Sequence, residues 1–125
     1  MSGINKVILV GHLGKDPELR YLNDNVSVVS FPLATTEMII KEGKRTEQTE
    51  WHNIIMWRAL ADIAAKLLCK GKLVYVEGKL KTRFIEDKDG HKRYITEIIV
   101  ENFKLLGRKS DFEEFDHTLA ATDHS

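Results

Sequence analysis

A single stretch of this 125-residue sequence has the spacing of an amphipathic helix, and it lies between runs typical of β-strands. The apolar residues that recur at the i, i+3, i+4, i+7, i+8 spacing are Leu60, Ile63, Ala64, Leu67 and Leu68. Gly71 follows at a point where helices often end. The other apolar runs are rich in Val, Ile and aromatic residues, which favour strands. An all-β domain with one helix in the second half of the chain is therefore predicted.

The first predicted strand covers residues 5–13, an apolar run that ends in the turn residues Gly14 and Pro17. Residues 18–22 extend this strand after a kink. Val7, Ile8, Leu9 and Val10 make the strand apolar on both faces, as expected of a strand buried at a subunit contact or inside a barrel.

Four further strands follow. The second is predicted over residues 26–36 and the third over residues 49–57, with a charged loop over residues 41–48 between them. Residues 73–85 and 93–105 form a long hairpin around an Asp-Gly turn.

Five strands with one helix between the third and the fourth are the element order of an OB-fold, a five-stranded Greek-key barrel. The barrel is assigned to residues 1–107, and residues 108–125 are assigned to a short acidic C-terminal tail. OB-folds usually bind ligands on the face of their middle strands and on the loops that join strands one and two and strands four and five.

Both tryptophans of the chain lie in the third strand, six residues apart. Strand alternation places Trp51, Asn53, Ile55 and Trp57 on one face, and His52, Ile54 and Met56 on the other. Two indoles on one face either cover a core or offer flat surfaces on which unpaired bases stack. Both interpretations are open at this point.

The basic residues are concentrated in the body of the chain. Residues 1–109 carry all 19 Lys and Arg against 14 Asp and Glu, a net charge of +5, whereas residues 110–125 carry five acidic residues and no basic one. In the fourth strand, alternation places Lys79, Lys81 and Arg83 on one face, and Val74, Val76, Leu80 and Phe84 on the other. A solvated surface is the alternative interpretation. The combination of a basic stripe with an aromatic strand favours binding of single-stranded nucleic acid.

The sequence gives little support for a cofactor site, a metal site or a catalytic site. The sequence has no phosphate-binding loop, no His or Cys spacing typical of metal sites and no nucleophile with an evident base, so no cofactor, no metal and no enzymatic activity are expected. A lone Cys69 is expected to pack as a small apolar residue. The N-terminus lacks a leader pattern, and no stretch approaches membrane-spanning length, so a cytoplasmic protein without a membrane partner is expected.

Several long motifs occur in order between residues 4 and 105 and resemble those of the bacterial single-stranded DNA-binding protein family. They are Asn-Lys-Val-Ile-Leu-Val-Gly at residues 5–11, Leu-Gly at 13–14, Asp-Pro-Glu at 16–18, Arg-Tyr at 20–21, Glu-Gln-Thr-Glu-Trp-His at 47–52, Lys-Gly at 70–71, Val-Tyr-Val-Glu-Gly at 74–78 and Arg-Tyr at 93–94. This resemblance implies an OB-fold homotetramer in the nucleoid that coats single-stranded DNA during replication, recombination and repair, without catalysis.

The resemblance also implies roles for individual residues. Trp51 and Trp57 match base-stacking positions, whereas two other stacking positions, usually aromatic, hold Ile39 in the loop after the second strand and Ile85 at the tip of the fourth. Phe84 replaces Ile85 as a stacking residue if the hairpin twists or bulges there. The candidate phosphate contacts are Lys79, Lys81, Arg83, Lys70 and Lys72, and the candidate subunit contacts are His52, Val7 and Leu9.

The tail departs from the family. Members usually carry a long Gly-, Pro- and Gln-rich linker and end in an acidic run capped by Pro-Phe, whereas this chain has an internal acid-aromatic segment at residues 111–116. Weak or absent tail-mediated recruitment of protein partners is therefore expected. Two alternatives for the function are an OB-fold accessory factor of a replication-restart assembly, dimeric and acting mainly through proteins, and a nucleic-acid-processing enzyme.

Overall fold

Residues 2–107 are described by the computed structural model, and they form six strands and one helix. In chain order the elements are β1 (Val7–Leu13), β2 (Glu18–Tyr21), β3 (Ser27–Lys41), β4 (Lys44–Trp57), α1 (Ala59–Leu67), β5 (Leu73–Glu86) and β6 (Lys92–Leu105). The predictions for the acidic tail, including its boundary at residue 108, lie outside the described residues.

The strands close into a barrel. Neighbouring strands follow the order β1, β5, β6, β4, β3, and β3 pairs back to β1 at His12↔Ala34 and Leu13↔Leu33. β2 also pairs with β3, so β1 and β2 are the two halves of one kinked strand. β4 and β6 run parallel, whereas the other pairs are antiparallel. The predicted five-stranded OB-fold with its helix between the third and fourth strands is confirmed.

The core consists of inward-facing residues from every long strand. Alternate residues of β3 and β4 are fully enclosed, as are two residues of β5: Val29, Leu33, Ile54, Met56, Val74 and Val76 each have 0% exposure. The outward-facing neighbours of these residues form the surface on which the predicted site lies.

The helix is confirmed, but its buried face differs from the predicted one. Ala61 and Ala64 have no exposed surface, whereas Ile63 is 45% and Leu67 is 52% exposed. The small alanine side chains let α1 lie close against β3 and β4. The chain leaves the helix in an extended conformation at Leu68. Cys69 follows in this extended segment and is exposed, so the expectation that it packs as a small apolar residue is wrong. Among residues 2–107, no helix has the length and apolar character that crossing a membrane requires.

The predicted charged loop at residues 41–48 is wrong. β3 and β4 continue as a long hairpin whose turn is only Glu42-Gly43, with φ of 53° and 77°. Positive φ at both central residues is the geometry of a type I′ turn, whose twist matches that of the flanking strands. This extension of the hairpin beyond the barrel is called the arm. Residues 44–51 of β4 are all exposed, so the arm does not need the alternation of buried apolar and exposed polar residues. Its pairing therefore comes from the backbone ladder, which hydropathy does not reveal.

Candidate nucleic-acid interface

The two tryptophans lie on the outward face of β4. Trp51 is 62% and Trp57 is 40% exposed, whereas the intervening Ile54 and Met56 are fully buried on the inward face. A rise of about 3.3 Å per residue separates the two positions by roughly 20 Å along the strand. The sheet thus presents two accessible indoles on one face, as the alternation predicted.

The indole of Trp51 lies on Gly14, at the end of the β1–β2 kink. A Cβ placed on Gly14 would lie 2.5 Å from Cζ3 and 2.8 Å from Cη2 of Trp51, so only glycine leaves room for the ring. The backbone N–H of Gly14 donates to the carbonyl of Pro32 at 2.9 Å, which ties the kink to β3. The loop between the two halves of the first OB strand therefore supports one side of this indole.

Replacing Gly14 by alanine should displace the Trp51 indole, because the added methyl occupies the position of the ring. We expect a shifted Trp51 emission and weaker binding of single-stranded DNA, by about 1 kcal/mol. Fluorescence spectra and DNA titrations of Gly14→Ala in a Trp57→Phe background isolate the Trp51 signal. Gly3→Ala is the control, since nothing lies within 4 Å of that Cβ. An unchanged spectrum and affinity would contradict the contact.

The predicted basic stripe lies on the same face as the indoles. Lys79, Lys81 and Arg83 pair in register with Ile99, Glu97 and Ile95 of β6. Ile99 in turn pairs with Ile55, which shares the outward face of β4 with both tryptophans. A groove is lined by Trp57 together with the three basic residues of the stripe. The structure therefore brings the predicted stacking and basic residues together across three strands.

Arg83 is paired with an acidic residue of the same face. Its Nε donates to Oε1 of Glu97 at 2.8 Å, and its Nη2 donates to Oε2 at 3.1 Å. The hydrogen bond and the negative charge of Glu97 raise the pKa of Arg83 above its ordinary value. Lys79 and Lys81 are exposed and form no ion pair with a residue in the 2–107 range.

Ile39 and Ile85 occupy different surroundings. Ile39 lies in β3 rather than in a loop, pairs with Thr46 and faces away from Trp51. The residues of the arm that share the face of Trp51 are its neighbours Met38 and Ile40, which are 54% and 72% exposed. Ile85 pairs with Arg93 and lies on the same side of β5 as the basic stripe.

Phe84 points to the side of the hairpin opposite to Ile85. The β5–β6 pairing runs without a register shift from Gly78 to Glu86, so no bulge turns Phe84 toward the stripe. Its ring contacts Tyr94 edge-on, with 5.3 Å between centroids, and Nζ of Lys92 lies 5.5 Å from its centroid. Phe84 is still 49% exposed. A stacking role for it, as for the two isoleucines, stays a prediction.

Lys70 and Lys72 lie away from this groove, in the segment between α1 and β5. The backbone N–H of Lys70 donates to Oδ1 of Asp16 at 2.8 Å, and the carbonyl of Lys72 accepts from the N–H of Leu13 at 3.1 Å. Both lysines therefore border the β1–β2 kink, and the structure does not unite them with the stripe.

The predicted subunit contacts divide between two environments. Val7 and Leu9 face inward and pack against the core, because their partners in β5 are the buried Gly78 and Val76. The apolar residues that β1 turns outward are instead Ile8, which is 54% exposed, and the half-buried Val10. His52 faces away from the indoles, as predicted, and its Nε2 is 2.8 Å from Oγ1 of Thr35.

Sequence reasoning missed two residues of this face. Arg20 of β2 and Glu97 of β6 line the groove beside Trp57, and both also line the adjoining groove that reaches Asn53. Arg20 pairs with Val28, which pairs with Trp57. The sequence signal for Arg20 was the strand alternation in the segment after the kink. Its position beside Trp57, however, follows only from the register of β2, β3 and β4.

One cluster of side chains in the described range has potential ligand atoms close enough together to hold a metal ion. Asp87, Asp89 and His91 lie at the exposed tip of the β5–β6 hairpin. Oδ1 of Asp87 accepts the backbone N–H groups of Asp89 and His91 at 3.0 and 2.8 Å. These hydrogen bonds stabilise the turn, which accounts for the cluster without an ion.

Comparison with known proteins agrees with this geometry. Residues 4–106 match the single-strand binding protein family. A single-stranded DNA-binding protein 1 of Chlorobaculum tepidum is 50% identical over 109 residues, which cover 86% of this chain and 67% of the relative. A single-stranded DNA-binding protein of Neisseria meningitidis serogroup A is 46% identical over 86% of this chain and 63% of its own length. The matched part thus spans about two thirds of these relatives.

A solved structure shares the fold. The Plasmodium falciparum SSB in complex with single-stranded DNA superimposes with a TM-score of 0.80 at 32% identity, covering 86% of this chain and 98% of the other. With an OB-fold, an exposed aromatic strand and a family match across nearly all described residues, this chain belongs to the single-strand binding protein family.

Proposed function

We propose that this chain binds and coats single-stranded DNA with little sequence preference, without catalysis. The observation that carries this function is the groove in which Trp57 lies beside Lys79 and Lys81, on the face that also exposes Trp51. Proteins of the family bind DNA and are not enzymes, and the relatives above are named for that binding. Stacking tolerates any base, because every base has a π-face.

The lysines supply the second part of the binding energy. Each phosphate that a lysine neutralises releases condensed counterions, so affinity falls with rising salt, by a slope of about −0.7 per contact for single strands. Lys79 and Lys81 are exposed on the indole face, whereas the charge of Arg83 is balanced by Glu97. The two lysines are therefore proposed as the phosphate contacts of this groove.

Replacing Lys79 and Lys81 by glutamine should reduce the salt slope by roughly 1.4, about 0.7 for each lost contact. Titrations with oligothymidylate at several salt concentrations measure this slope directly. A Lys70→Gln, Lys72→Gln variant has the same change of charge outside the groove and should alter the slope less. If the first variant kept the slope of the unmodified protein, these lysines would not be the phosphate contacts.

The cellular roles follow from coating. A protein that covers exposed single strands is proposed to act in DNA replication, recombination and repair, in the cytoplasm and associated with the nucleoid. The alternative of a replication-restart accessory factor acting mainly through proteins is disfavoured by the two exposed indoles, which such a factor would not require.

A homotetramer is the proposed assembly. β1 turns Ile8 and Val10 outward, and this apolar strip is the proposed subunit contact. We expect sedimentation at micromolar concentration to show four chains, and Ile8→Asp to shift the population to smaller species. Ile63→Asp is the control, since Ile63 is 45% exposed on α1 at a different surface. A monomer of the unmodified protein would refute the assembly, and a dimer would favour the accessory factor.

A further inference from the structure

A buried carboxylate lies at the centre of the proposed DNA-binding face. The Glu97 side chain is only 9% exposed, yet it belongs to the outward face of β6 and lines both adjoining grooves. A negative charge at this point repels phosphates, so it is unexpected on a surface that binds a polyanion. Its position therefore calls for a function other than attracting the backbone of the DNA.

Glu97 lies between the two indoles. The parallel register of Ile54↔Ile98 and Ile55↔Ile99 places Asn53 beside Glu97 on the same face. Asn53 is two residues from Trp51 and four from Trp57 along β4. β6 lies between β4, which carries the indoles, and β5, which carries Lys79 and Lys81. A strand of DNA that contacts both the indoles and these lysines therefore crosses the face above the Arg83–Glu97 pair.

The pair itself is a two-pronged ion pair without net charge. Glu97 occupies Nε and Nη2 of Arg83, at 2.8 and 3.1 Å, and within the described chain Nη1 makes no hydrogen bond. Such a fork fixes the plane of the guanidinium. A fixed guanidinium plane stacks on unpaired bases, and Nη1 is free to donate to a base carbonyl. Because the pair is neutral, it releases no counterions and is a poor phosphate contact.

We propose that Glu97 is a positioning residue that holds Arg83 as a neutral platform for a base, so that a base rather than a phosphate lies over the centre of the face. The phosphates then contact Lys79 and Lys81, which lie on β5 with Arg83. This inference rests on the proposed function. It assigns Arg83 a base as its ligand, whereas its place in the basic stripe predicts a phosphate.

The test compares salt slopes for oligothymidylate. In Glu97→Gln, Arg83 carries an unbalanced charge, so the slope should become steeper by about 0.7, the value of one added phosphate contact. In the double variant Arg83→Gln, Glu97→Gln, the platform is lost without a change of net charge. Its slope should equal that of the unmodified protein, while affinity falls on the order of tenfold at every salt concentration.

Two further measurements keep the test decisive. Glu101→Gln removes an exposed carboxylate from the same strand outside both grooves and should leave the slope nearly unchanged. Thermal unfolding identifies variants that are folded, and the double variant leaves no unpaired charge at this position if Glu97→Gln alone proves unstable. A purely structural ion pair would change unfolding and leave slope and affinity as they are.

The results that would contradict this inference differ from the result that would contradict the proposed function. If the double variant lost about 0.7 from the slope while Glu97→Gln kept it, Arg83 would neutralise a phosphate, and the inference would be wrong. If both folded variants bound as the unmodified protein does, the pair would have no role in binding. If the unmodified protein did not bind at all, the proposed function would fail first.

Discussion

Replacing Trp51 and Trp57 together by alanine is expected to weaken binding of oligothymidylate by roughly 30-fold to 20,000-fold. The range follows from about 1–3 kcal/mol per stacked base, a value known for single-strand binding proteins as a class. Both indoles are accessible, at 62% and 40% exposure, so their removal deletes stacking surface and leaves the enclosed core untouched. A fluorescently labelled oligonucleotide reports binding by anisotropy, since the double variant has no tryptophan.

The matched control for this prediction is Tyr94→Ala, which removes an aromatic ring that is 75% exposed on the opposite face of the β5–β6 hairpin. Its effect on affinity should be smaller than that of either single tryptophan variant. Circular dichroism and thermal unfolding should show the barrel intact in all variants. Equal affinities of the double variant and the unmodified protein would remove the indoles from the binding site.

Replacing Gly78 by alanine is expected to destabilise the barrel by about 3 kcal/mol, as overpacking at a site that cannot relax does. A Cβ at this position would lie 2.1 Å from the carbonyl oxygen of Ile99 and 2.8 Å from its carbonyl carbon. Both atoms belong to the backbone of the paired strand, so the clash can be relieved only by separating β5 from β6. The pairing of β5 with β6 also shifts register beside Gly78.

Denaturant unfolding of Gly78→Ala measures this effect, and Gly3→Ala serves as its control because a Cβ there meets no atom within 4 Å. Gly11→Ala should behave like Gly78→Ala, since its Cβ would lie 2.2 Å from the carbonyl oxygen of Ala34. If Gly78→Ala were about as stable as the unmodified protein, β5 and β6 would be packed less closely at Gly78 than the structure shows.

The order of elements and the face of each tryptophan could be predicted because local patterns determine them. The alternation in Trp51–Trp57 and in Lys79–Arg83 persists through regular strands, and the helical spacing of apolar residues located α1, although it did not identify which face of α1 is buried. The kink after Gly14 was also visible, because Asp16 and Pro17 interrupt an apolar run.

The β3–β4 arm and the inward orientation of Val7 and Leu9 could not be predicted in the same way. The arm is held by backbone pairing between polar residues, so it carries no hydrophobic period. The first strand is apolar on both faces, and only its register with Gly78 and Val76 shows which face is the core. The Arg83–Glu97 pair could not be predicted either, since it depends on the register of the β5–β6 hairpin, which brings together two residues 14 positions apart.

The most direct test of the proposed function is a titration of the intrinsic tryptophan fluorescence with oligothymidylate at several salt concentrations. We expect stoichiometric quenching at low salt, because stacked bases cover both indoles, and an affinity that falls linearly on logarithmic axes as salt rises. An oligocytidylate of equal length should give similar behaviour, since stacking has little sequence preference. Fluorescence that does not change with added DNA, or an affinity that is independent of salt, would contradict binding through the indoles and the lysine stripe.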